Sequence, residues 1–199
     1  MRAFKIGIIT IVLLLIATLL TLRVTGLDPR YIDPTTEAYE EVGRTAWPGL
    51  WLSGEVVREP VTNWDFINEV NHPVRGNAVM LETLSWFGLP HSVTIYAIPR
   101  GERLYVGGSR RDSRLEKPFP HSKRWWANME RDPRVRMKID GKIYELTVVR
   151  IADRDKLREA INREPFLTRL DENGREEIYG YWHYWEAFQR GVEDYGGDS

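Results

Sequence analysis

The chain has 199 residues, enough for one domain of ordinary size with appendages. Its 28 Lys and Arg residues nearly balance 29 Asp and Glu residues, so the overall charge argues against a nucleic-acid partner. Cysteine is absent, which excludes disulfides, thiolate catalysis and an iron–sulfur cluster. Aromatic residues make up 12%, including eight Trp, which suits an aromatic-lined pocket or simply a small β-rich core.

An uncharged apolar run from Ile6 to Leu22 is just long enough to cross a bilayer as a helix. Arg2 and Lys5 precede it, which favours an amino terminus in the cytoplasm. A removed signal peptide is the alternative, but no Ala-x-Ala cleavage site follows and the run is long for a signal. We therefore expect residues 1–23 to form a single-pass anchor in the inner (cytoplasmic) membrane, with lipid around residues 6–22. The folded domain would then be periplasmic or otherwise extracytoplasmic.

Composition divides the rest of the chain into three parts. Residues 24–48 predict a tether with two Asp-Pro turns and a brief helix from Thr36 to Arg44. Residues 49–190 predict the folded domain, and residues 191–199 a disordered tail. The first elements expected in the domain are a strand Leu50–Val57, a helical turn Asp65–Asn71, a strand Ala78–Leu84 and a turn Trp86–Pro90.

A hairpin, a basic loop and a short helix are predicted in the middle of the chain. Stretches rich in β-branched and aromatic residues indicate the two strands, and Pro and Gly mark the turn between them. In chain order we expect a strand His91–Ile98, a turn Pro99–Gly101, a strand Arg103–Val106, the basic loop Gly107–Ser122 and a helix Lys123–Arg131.

The next hairpin is the best-specified element of the sequence. Val135, Met137 and Ile139 alternate with cationic residues, the period-2 pattern of a strand with one buried face. Asp140-Gly141 follows and can take the positive φ angles of a two-residue type I′ turn. This turn predicts the pairs Arg136 with Glu145, Met137 with Tyr144 and Val135 with Leu146.

The last third of the chain predicts one helix and one strand. Asp153 can cap a helix from Arg154 to Arg163, whose Leu157 and Ile161 would face the sheet. A turn at Asp171–Gly174 and an aromatic strand Ile178–Phe188 follow. Six or so short strands with few helices indicate a mainly β (α+β) domain, built as a small closed or nearly closed antiparallel barrel.

Several common functional motifs are missing from the sequence. It contains no Walker or Rossmann phosphate loop, no Gly-x-Ser-x-Gly and no His-Glu-x-x-His. The four His residues are scattered without metal-ligand spacing, which argues against a zinc site. Glu82 and Glu145 are both expected on strands, and the sequence does not distinguish a catalytic carboxylate from a surface one.

The basic loop is the strongest chemical feature. It leads into a helix whose free N–H groups, together with nearby guanidinium groups, suit a phosphate monoester. Gly107-Gly108-Ser109 would let a ligand approach the backbone closely. A solvated basic loop is the alternative, and composition alone favours it. The cations are Arg110, Arg111, Arg114, Lys117, Lys123 and Arg124.

Side chains that flank the loop could line a pocket. On the helix, Trp125, Asn128 and Met129 share one face while Trp126 turns away, which core packing largely explains. His91, at the start of a strand with Ser92 and Thr94, could contribute a polar tip, although a lone His there is more often structural.

These residues in this order resemble flavin-binding split-barrel proteins, which include pyridoxamine 5'-phosphate oxidase-like proteins and deazaflavin-dependent nitroreductases. The resemblance rests on short motifs whose order and spacing match, and it covers roughly Leu50 to Arg163. The motifs are Tyr105-Val-Gly-Gly-Ser109, Trp125-x-x-Asn128-Met129, Asp132-Pro133-Arg134-Val135 and Val148-Val-Arg-Ile-Ala-Asp153.

The resemblance implies a six-stranded antiparallel split β-barrel with short flanking helices, commonly a homodimer that binds flavin across the subunit interface. By position, Ser92, Val93 and Thr94 would line the flavin ring. The residues near the phosphate end would be Ser109, Arg110, Lys123, Arg124 and Trp125.

The resulting hypothesis is a membrane-anchored oxidoreductase that uses FMN, or alternatively a deazaflavin coenzyme, to transfer hydride to or from an unknown small molecule. A non-catalytic binding module for haem, another ligand or a partner protein is the alternative on the same barrel. Haem would need an axial ligand, for which His91 and His121 are candidates. A purely structural barrel is the third possibility.

Overall fold

The computed structural model describes residues 2–32, 35–37, 46–70, 79–111 and 125–192. The apolar run forms helix α1 (Arg2–Thr25). Its residues Phe4–Thr25 have a mean hydropathy of 2.5 and are not buried against the rest of the chain. The hydroxyl groups of Thr10 and Thr18 donate to carbonyl groups one turn earlier, which keeps them from interrupting the apolar surface. The helix is long and apolar enough to cross a bilayer, a property that a membrane span shares with a signal sequence.

The rest of the described chain contains eleven strands, of 2 to 14 residues, and three short helices. Before the main barrel come β1 (Arg30–Tyr31), β2 (Ala46–Trp47), β3 (Glu55–Val56) and α2 (Ile67–Val70). The first half of the barrel contains β4 (Val79–Leu84), β5 (Pro90–Ile95), β6 (Ala97–Arg100) and β7 (Arg103–Arg111). Then come α3 (Trp125–Arg131), β8 (Arg134–Ile139), β9 (Lys142–Ile151), α4 (Arg154–Ile161), β10 (Phe166–Leu170) and β11 (Glu176–Gln189).

The sheet closes on itself. Its strands follow the order β5-β4-β8-β9-β11-β7-β6, with antiparallel pairing throughout. The first and last strands on this path, β5 and β6, are separated only by Tyr96. They are therefore two halves of one bent strand, and the path is a ring of six strands. This ring confirms the predicted fold class, while β10 pairs with β11 and β3 with β9 outside it.

The predicted register of the β8–β9 hairpin is confirmed. Arg136 pairs with Glu145, Met137 with Tyr144 and Val135 with Leu146. The turn residues Asp140 and Gly141 have φ angles of 47° and 78°, as a type I′ turn requires. Because a slip of one residue would turn every side chain to the opposite face, this turn sets which residues of both strands enter the core.

The core fills the inside of the ring. Val135, Met137 and Ile139 of β8 point inward, and Trp185 of β11 is 1% exposed among them. Helix α3 adds Trp125 and Met129 to this cluster. Helix α4 packs on the outside through Leu157 and Ile161, against Ile98, Tyr105 and Tyr184. As predicted, Asp153 caps α4, with its side chain accepting from the Lys156 N–H at 2.9 Å.

Three predicted elements differ in the structure. The strand expected over Leu50–Val57 is regular only at Glu55–Val56, because the chain bends at Leu50, Trp51 and Gly54 where it lies against the outside of the barrel. The strand expected over His91–Ile98 bends at Tyr96, and only its second half pairs with β7. Strand β7 continues through Gly107–Arg111, which was expected to be loop. Strand β10 was not predicted, and most of the helix expected at Thr36–Arg44 lies outside the described residues.

The chain that follows α1 is attached directly to the barrel. The Leu27 N–H donates to the carbonyl of Trp51, and the Leu50 N–H donates to the carbonyl of Leu27, both at 2.8 Å. The Asp28 carboxylate pairs with the Lys138 ammonium on β8. This part of the expected tether is therefore bound to the barrel surface rather than extended away from it.

Candidate functional site

Helix α3 brings the end of β7 next to the start of β8. The Trp125 ring packs over Gly108 of β7, so that a Cβ atom on this glycine would lie 3.1 Å from Cη2 of Trp125. The Asn128 amide donates to the Thr83 hydroxyl on β4 at 3.0 Å. At the start of β8, hydrogen bonds from the Arg134 guanidinium lower the pKa of the Asp132 carboxyl. The Trp-x-x-Asn and Asp-Pro motifs therefore attach α3 to the barrel.

The candidate phosphate end lies at this junction. Ser109 is half-buried on β7, and Arg110 follows it in the same strand. Trp125 is the first residue of α3 and lies largely in the core. Lys123 and Arg124 lie outside the described residues. The structure thus brings the end of β7, which carries Ser109 and Arg110, next to Trp125 at the start of α3, and the assignment of these residues to a phosphate stays a prediction.

The candidate ring-lining residues lie on β5. Val93 points into the barrel and packs against its core. Ser92 and Thr94 point to the outside, where Thr94 is half-buried. Ser92 is fully buried, because Gly49 lies across it with two backbone hydrogen bonds of 2.8 and 3.0 Å. A ligand could contact the Ser92 side chain only if the segment around Gly49 moved.

Gly49 is required for this close approach. A Cβ atom there would lie 2.2 Å from the Leu27 carbonyl oxygen and 2.5 Å from the Ser92 hydroxyl oxygen. That hydroxyl is buried and has no hydrogen-bond partner among the described residues. A buried hydroxyl without a partner costs free energy. The Ser92 side chain is therefore a polar group that the segment around Gly49 covers and leaves without a hydrogen bond in the described part of the chain.

Next to this covered position lies the buried carboxylate of Glu82 on β4. Its exposed fraction is 6%, and it accepts from the Leu52 N–H at 2.6 Å and from the Arg136 guanidinium at 3.1 Å. Arg136 also donates to the carbonyl of Leu52. Glu82 therefore fastens the segment that follows Gly49 to the outside of the barrel. Glu145, by contrast, pairs at 3.6 Å with the exposed Arg58.

Gly107 and Gly108 serve packing rather than ligand approach, which corrects the prediction made for them. A Cβ atom on Gly107 would lie 2.8 Å from Cε1 of Tyr184 on β11, and Gly108 is covered by Trp125. Burial raises the pKa of the Tyr184 phenol above its usual value of 10.0, so this group is neutral at physiological pH. Large rings thus occupy the space that the two glycines leave.

Replacing Gly107 with alanine is expected to destabilise the protein by about 1–3 kcal/mol, because the new methyl group would push against the buried Tyr184 ring. Urea unfolding of the full-length protein in detergent measures this change. Ser109→Ala, on the same face of β7, is the control and is expected to change the free energy of unfolding by less than about 0.5 kcal/mol. Equal stability of both variants would contradict the packing role.

A second cluster, not found from the sequence, lies beside α3. The His183 ring of β11 stacks on Trp126 at a centroid distance of 5.5 Å and lies 6.1 Å from the Trp185 ring. Arg150 of β9 lies 2.8 Å from His183 Nδ1 and donates to Glu130 of α3 at 3.1 Å. Because side chains alternate along β11, His183 lies on the same face as Trp185. This alternation is the one sequence signal that could have indicated the cluster.

Two cavities open on the surface of the described part of the chain. One surface cavity of about 220 Å³ lies beside Glu82, Thr83 and Arg136, and another of about 470 Å³ lies at the Asp171–Asn173 turn. Neither includes any of the residues predicted to contact the cofactor. Ser92 is covered and Val93 faces inward, and the assignment of Ser92, Val93 and Thr94 to the flavin ring stays a prediction. His91 is half-buried on β5, and His121 lies outside the described residues.

No protein-family model matches the chain, and a search of curated proteins found no match. Among solved structures, the chain is similar to a pyridoxamine 5'-phosphate oxidase-like protein from Listeria innocua. The two are 13% identical with a TM-score of 0.35, over 63% of this chain and 92% of the other. A likeness at this level assigns neither a family nor an activity.

Proposed function

We propose that this protein is a membrane-anchored, flavin-binding split-barrel protein that acts as an oxidoreductase on a small molecule. FMN is the proposed cofactor, with a deazaflavin coenzyme as the alternative, and it would supply hydride transfer. The proposal includes α1 as the membrane anchor and a homodimer as the assembly. The barrel domain would bind the cofactor and orient it toward the substrate.

One observation carries the proposal. The end of β7 and the start of α3 are packed together, as the contact of Gly108 with Trp125 shows. The cation-rich residues 110–124 connect these two ends. We infer that guanidinium and ammonium groups of this connection favour an anionic ligand, such as a phosphate monoester, at the place where its two ends meet.

We propose that the flavin pocket lies at the interface between two subunits. The resemblance to split-barrel proteins implies that flavin binds between two subunits, so half of the contacts would come from a second copy. Thr94 and Ser109 are both partly exposed and are available for such a site. Ser92 would join them only after the segment around Gly49 moved.

Purified full-length protein in detergent tests the proposal. We expect flavin absorbance in the visible range, or an increase in melting temperature on addition of FMN; a ligand at 100 times its Kd adds about 2.7 kcal/mol of stability. Riboflavin, which lacks the phosphate, should stabilise less. A colourless protein that neither FMN nor a deazaflavin coenzyme stabilises would contradict flavin binding.

Paired variants locate the phosphate contact. Lys123→Ala with Arg124→Ala should weaken FMN binding and leave riboflavin binding nearly unchanged, because only FMN carries the anion. The control, Lys156→Ala with Arg175→Ala, removes the same charge from the exposed α4 and the β10–β11 turn region. An equal loss of FMN affinity in both double variants would indicate a general effect of net charge rather than a phosphate contact.

The covering of Ser92 by Gly49 favours the second candidate, a non-catalytic binding module on the same barrel. In that case the position proposed for the flavin ring is permanently occupied by the chain itself. A Soret band on addition of haem that disappears in His91→Ala or His121→Ala protein would support the haem form of this candidate.

A further inference from the structure

The turn between β4 and β5 presents an unusually apolar tip, which we define as Ser85–Leu89. Its backbone is ordered by a hydrogen bond of 2.7 Å from the Ser85 N–H to the Leu89 carbonyl, and Gly88 has a φ angle of 71°. Trp86, Phe87 and Leu89 are nevertheless 78%, 85% and 51% exposed. No charged residue lies in the tip. Exposure of three large apolar side chains on one turn is unfavourable in water and indicates a contact surface.

The tip is held near the end of α1. Leu27, two residues beyond the helix, is hydrogen-bonded to Leu50, and the neighbouring Gly49 is hydrogen-bonded to Ser92 of β5. The Leu27 carbonyl oxygen and the Ser92 hydroxyl oxygen are therefore close neighbours, since a Cβ atom on Gly49 would lie 2.2 Å from the first and 2.5 Å from the second. The tip ends at Leu89, just before β5 and a few residues from Ser92. At the rise of a strand, this separation is about 10 Å. Ordered backbone contacts therefore limit how far the tip can lie from the point where α1 ends.

The side chains around the tip suit the polar boundary of a bilayer. The Arg131 guanidinium lies 5.6 Å from the centre of the Trp86 ring and donates to the carbonyl of Leu84. Trp at the boundary with an exposed Arg beside it is typical of membrane-interface contacts, since the ring enters the apolar zone while the cation meets lipid phosphates. Leu27 and Trp47, close to the end of α1, are also exposed apolar residues.

We propose that the tip Ser85–Leu89 inserts into the interfacial region of the same bilayer that α1 crosses, as a second membrane contact of the barrel. This inference rests on the proposed anchoring by α1. A second copy of the chain fits the tip less well, because aromatic side chains bury only about 150–250 Å² each, and a stable interface needs about 800 Å² per partner. A small convex tip can enter lipid without a partner surface of complementary shape.

The absence of cysteine from the sequence allows a direct test, because each introduced cysteine is the single thiol of the protein. Full-length protein with Phe87→Cys is labelled with an environment-sensitive fluorophore and reconstituted in vesicles of phosphatidylcholine with phosphatidylglycerol. Quenching by lipids with a nitroxide near the headgroup reports immersion at the bilayer interface, and quenching by lipids with a nitroxide deep in the acyl chain reports the bilayer centre. Leu15→Cys, within α1, reports the anchor, and Asn173→Cys, on the exposed β10–β11 turn, controls for attraction of the label itself to lipid. The melting temperature of each variant verifies that it is folded.

The expected result is blue-shifted, lipid-quenched emission at positions 15 and 87, without either change at position 173. Adding Trp86→Ser and Leu89→Ser to the Phe87→Cys protein should reduce the quenching at least by half. Quenching at position 15 but not at 87 would overturn the inference and leave the anchor intact. Absence of quenching at position 15 would refute the anchor itself, and the inference with it. A label at position 87 that is blue-shifted in vesicles but not quenched by any nitroxide lipid would overturn the inference in favour of contact between copies.

Discussion

Replacing Trp185 with alanine is expected to lower the free energy of unfolding by about 4 kcal/mol, the largest loss that we expect for a single side chain of this barrel. Trp185 lies on β11, between its register partners Val106 of β7 and Arg150 of β9, and is 1% exposed. Its ring therefore fills the interior where three strands meet. Alanine would leave a cavity that the closed ring of strands cannot fill by collapsing.

Urea unfolding of the full-length protein in detergent measures this loss. The matched control is Phe188→Ala, which removes an aromatic ring from the same strand at a position that is 49% exposed. The control should cost less than about 1 kcal/mol. Similar losses for the two variants would contradict the placement of Trp185 in the core. Since natural domains are stable by only about 5–15 kcal/mol, the Trp185 variant should also unfold at a clearly lower temperature.

Replacing Glu82 with alanine is expected to cost about 3 kcal/mol. The Glu82 carboxylate is the acceptor for both the Leu52 N–H and the Arg136 guanidinium, so its removal leaves two donors without their partner in a largely buried position. The same change should loosen the segment around Gly49 and Leu52 from the barrel. Faster amide exchange at Leu52 would report this local release separately from global stability.

Glu145→Ala is the control for Glu82→Ala. Glu145 is also a strand carboxylate beside Arg136 in the register, but its own ion pair with Arg58 is long and exposed. Its removal should cost less than about 1 kcal/mol. If Glu82→Ala were equally mild, the carboxylate would not fasten the segment. If the Glu82→Ala variant loosened the segment and also bound FMN more tightly, the result would identify the covered Ser92 as part of the binding site.

Elements whose signals are local could be predicted from the sequence. The β8–β9 register depends on Asp140-Gly141 and on side chains within a few residues of it, so it follows from the alternation and the turn alone. The Asp153 cap of α4 depends on one carboxylate and one N–H three residues later. The aromatic strand β11 was also predicted, because its alternation extends over many residues.

Features set by contacts distant in sequence could not be predicted in the same way. Gly107 and Gly108 indicate a loop when only their neighbours are considered, whereas the rings of Tyr184 and Trp125 across the barrel require them in a strand. The Leu50–Val57 stretch resembles a strand because it is apolar, but Glu82, 30 residues from Leu52, holds it against the outer face. In the candidate site, the contact between Arg150 and His183 joins residues 33 apart on two strands.

The bend at Tyr96 has a consequence for how the domain opens. Because β5 pairs with β4 and β6 pairs with β7, the described ladder of six strands has no terminal strand at which fraying could start, although each half of the bent strand pairs with a strand along one edge only. Amide protons of these strands should therefore gain or lose protection from solvent exchange as one cooperative unit. Strand β10, which among the described strands pairs only with β11, is free to open by itself without breaking the ring.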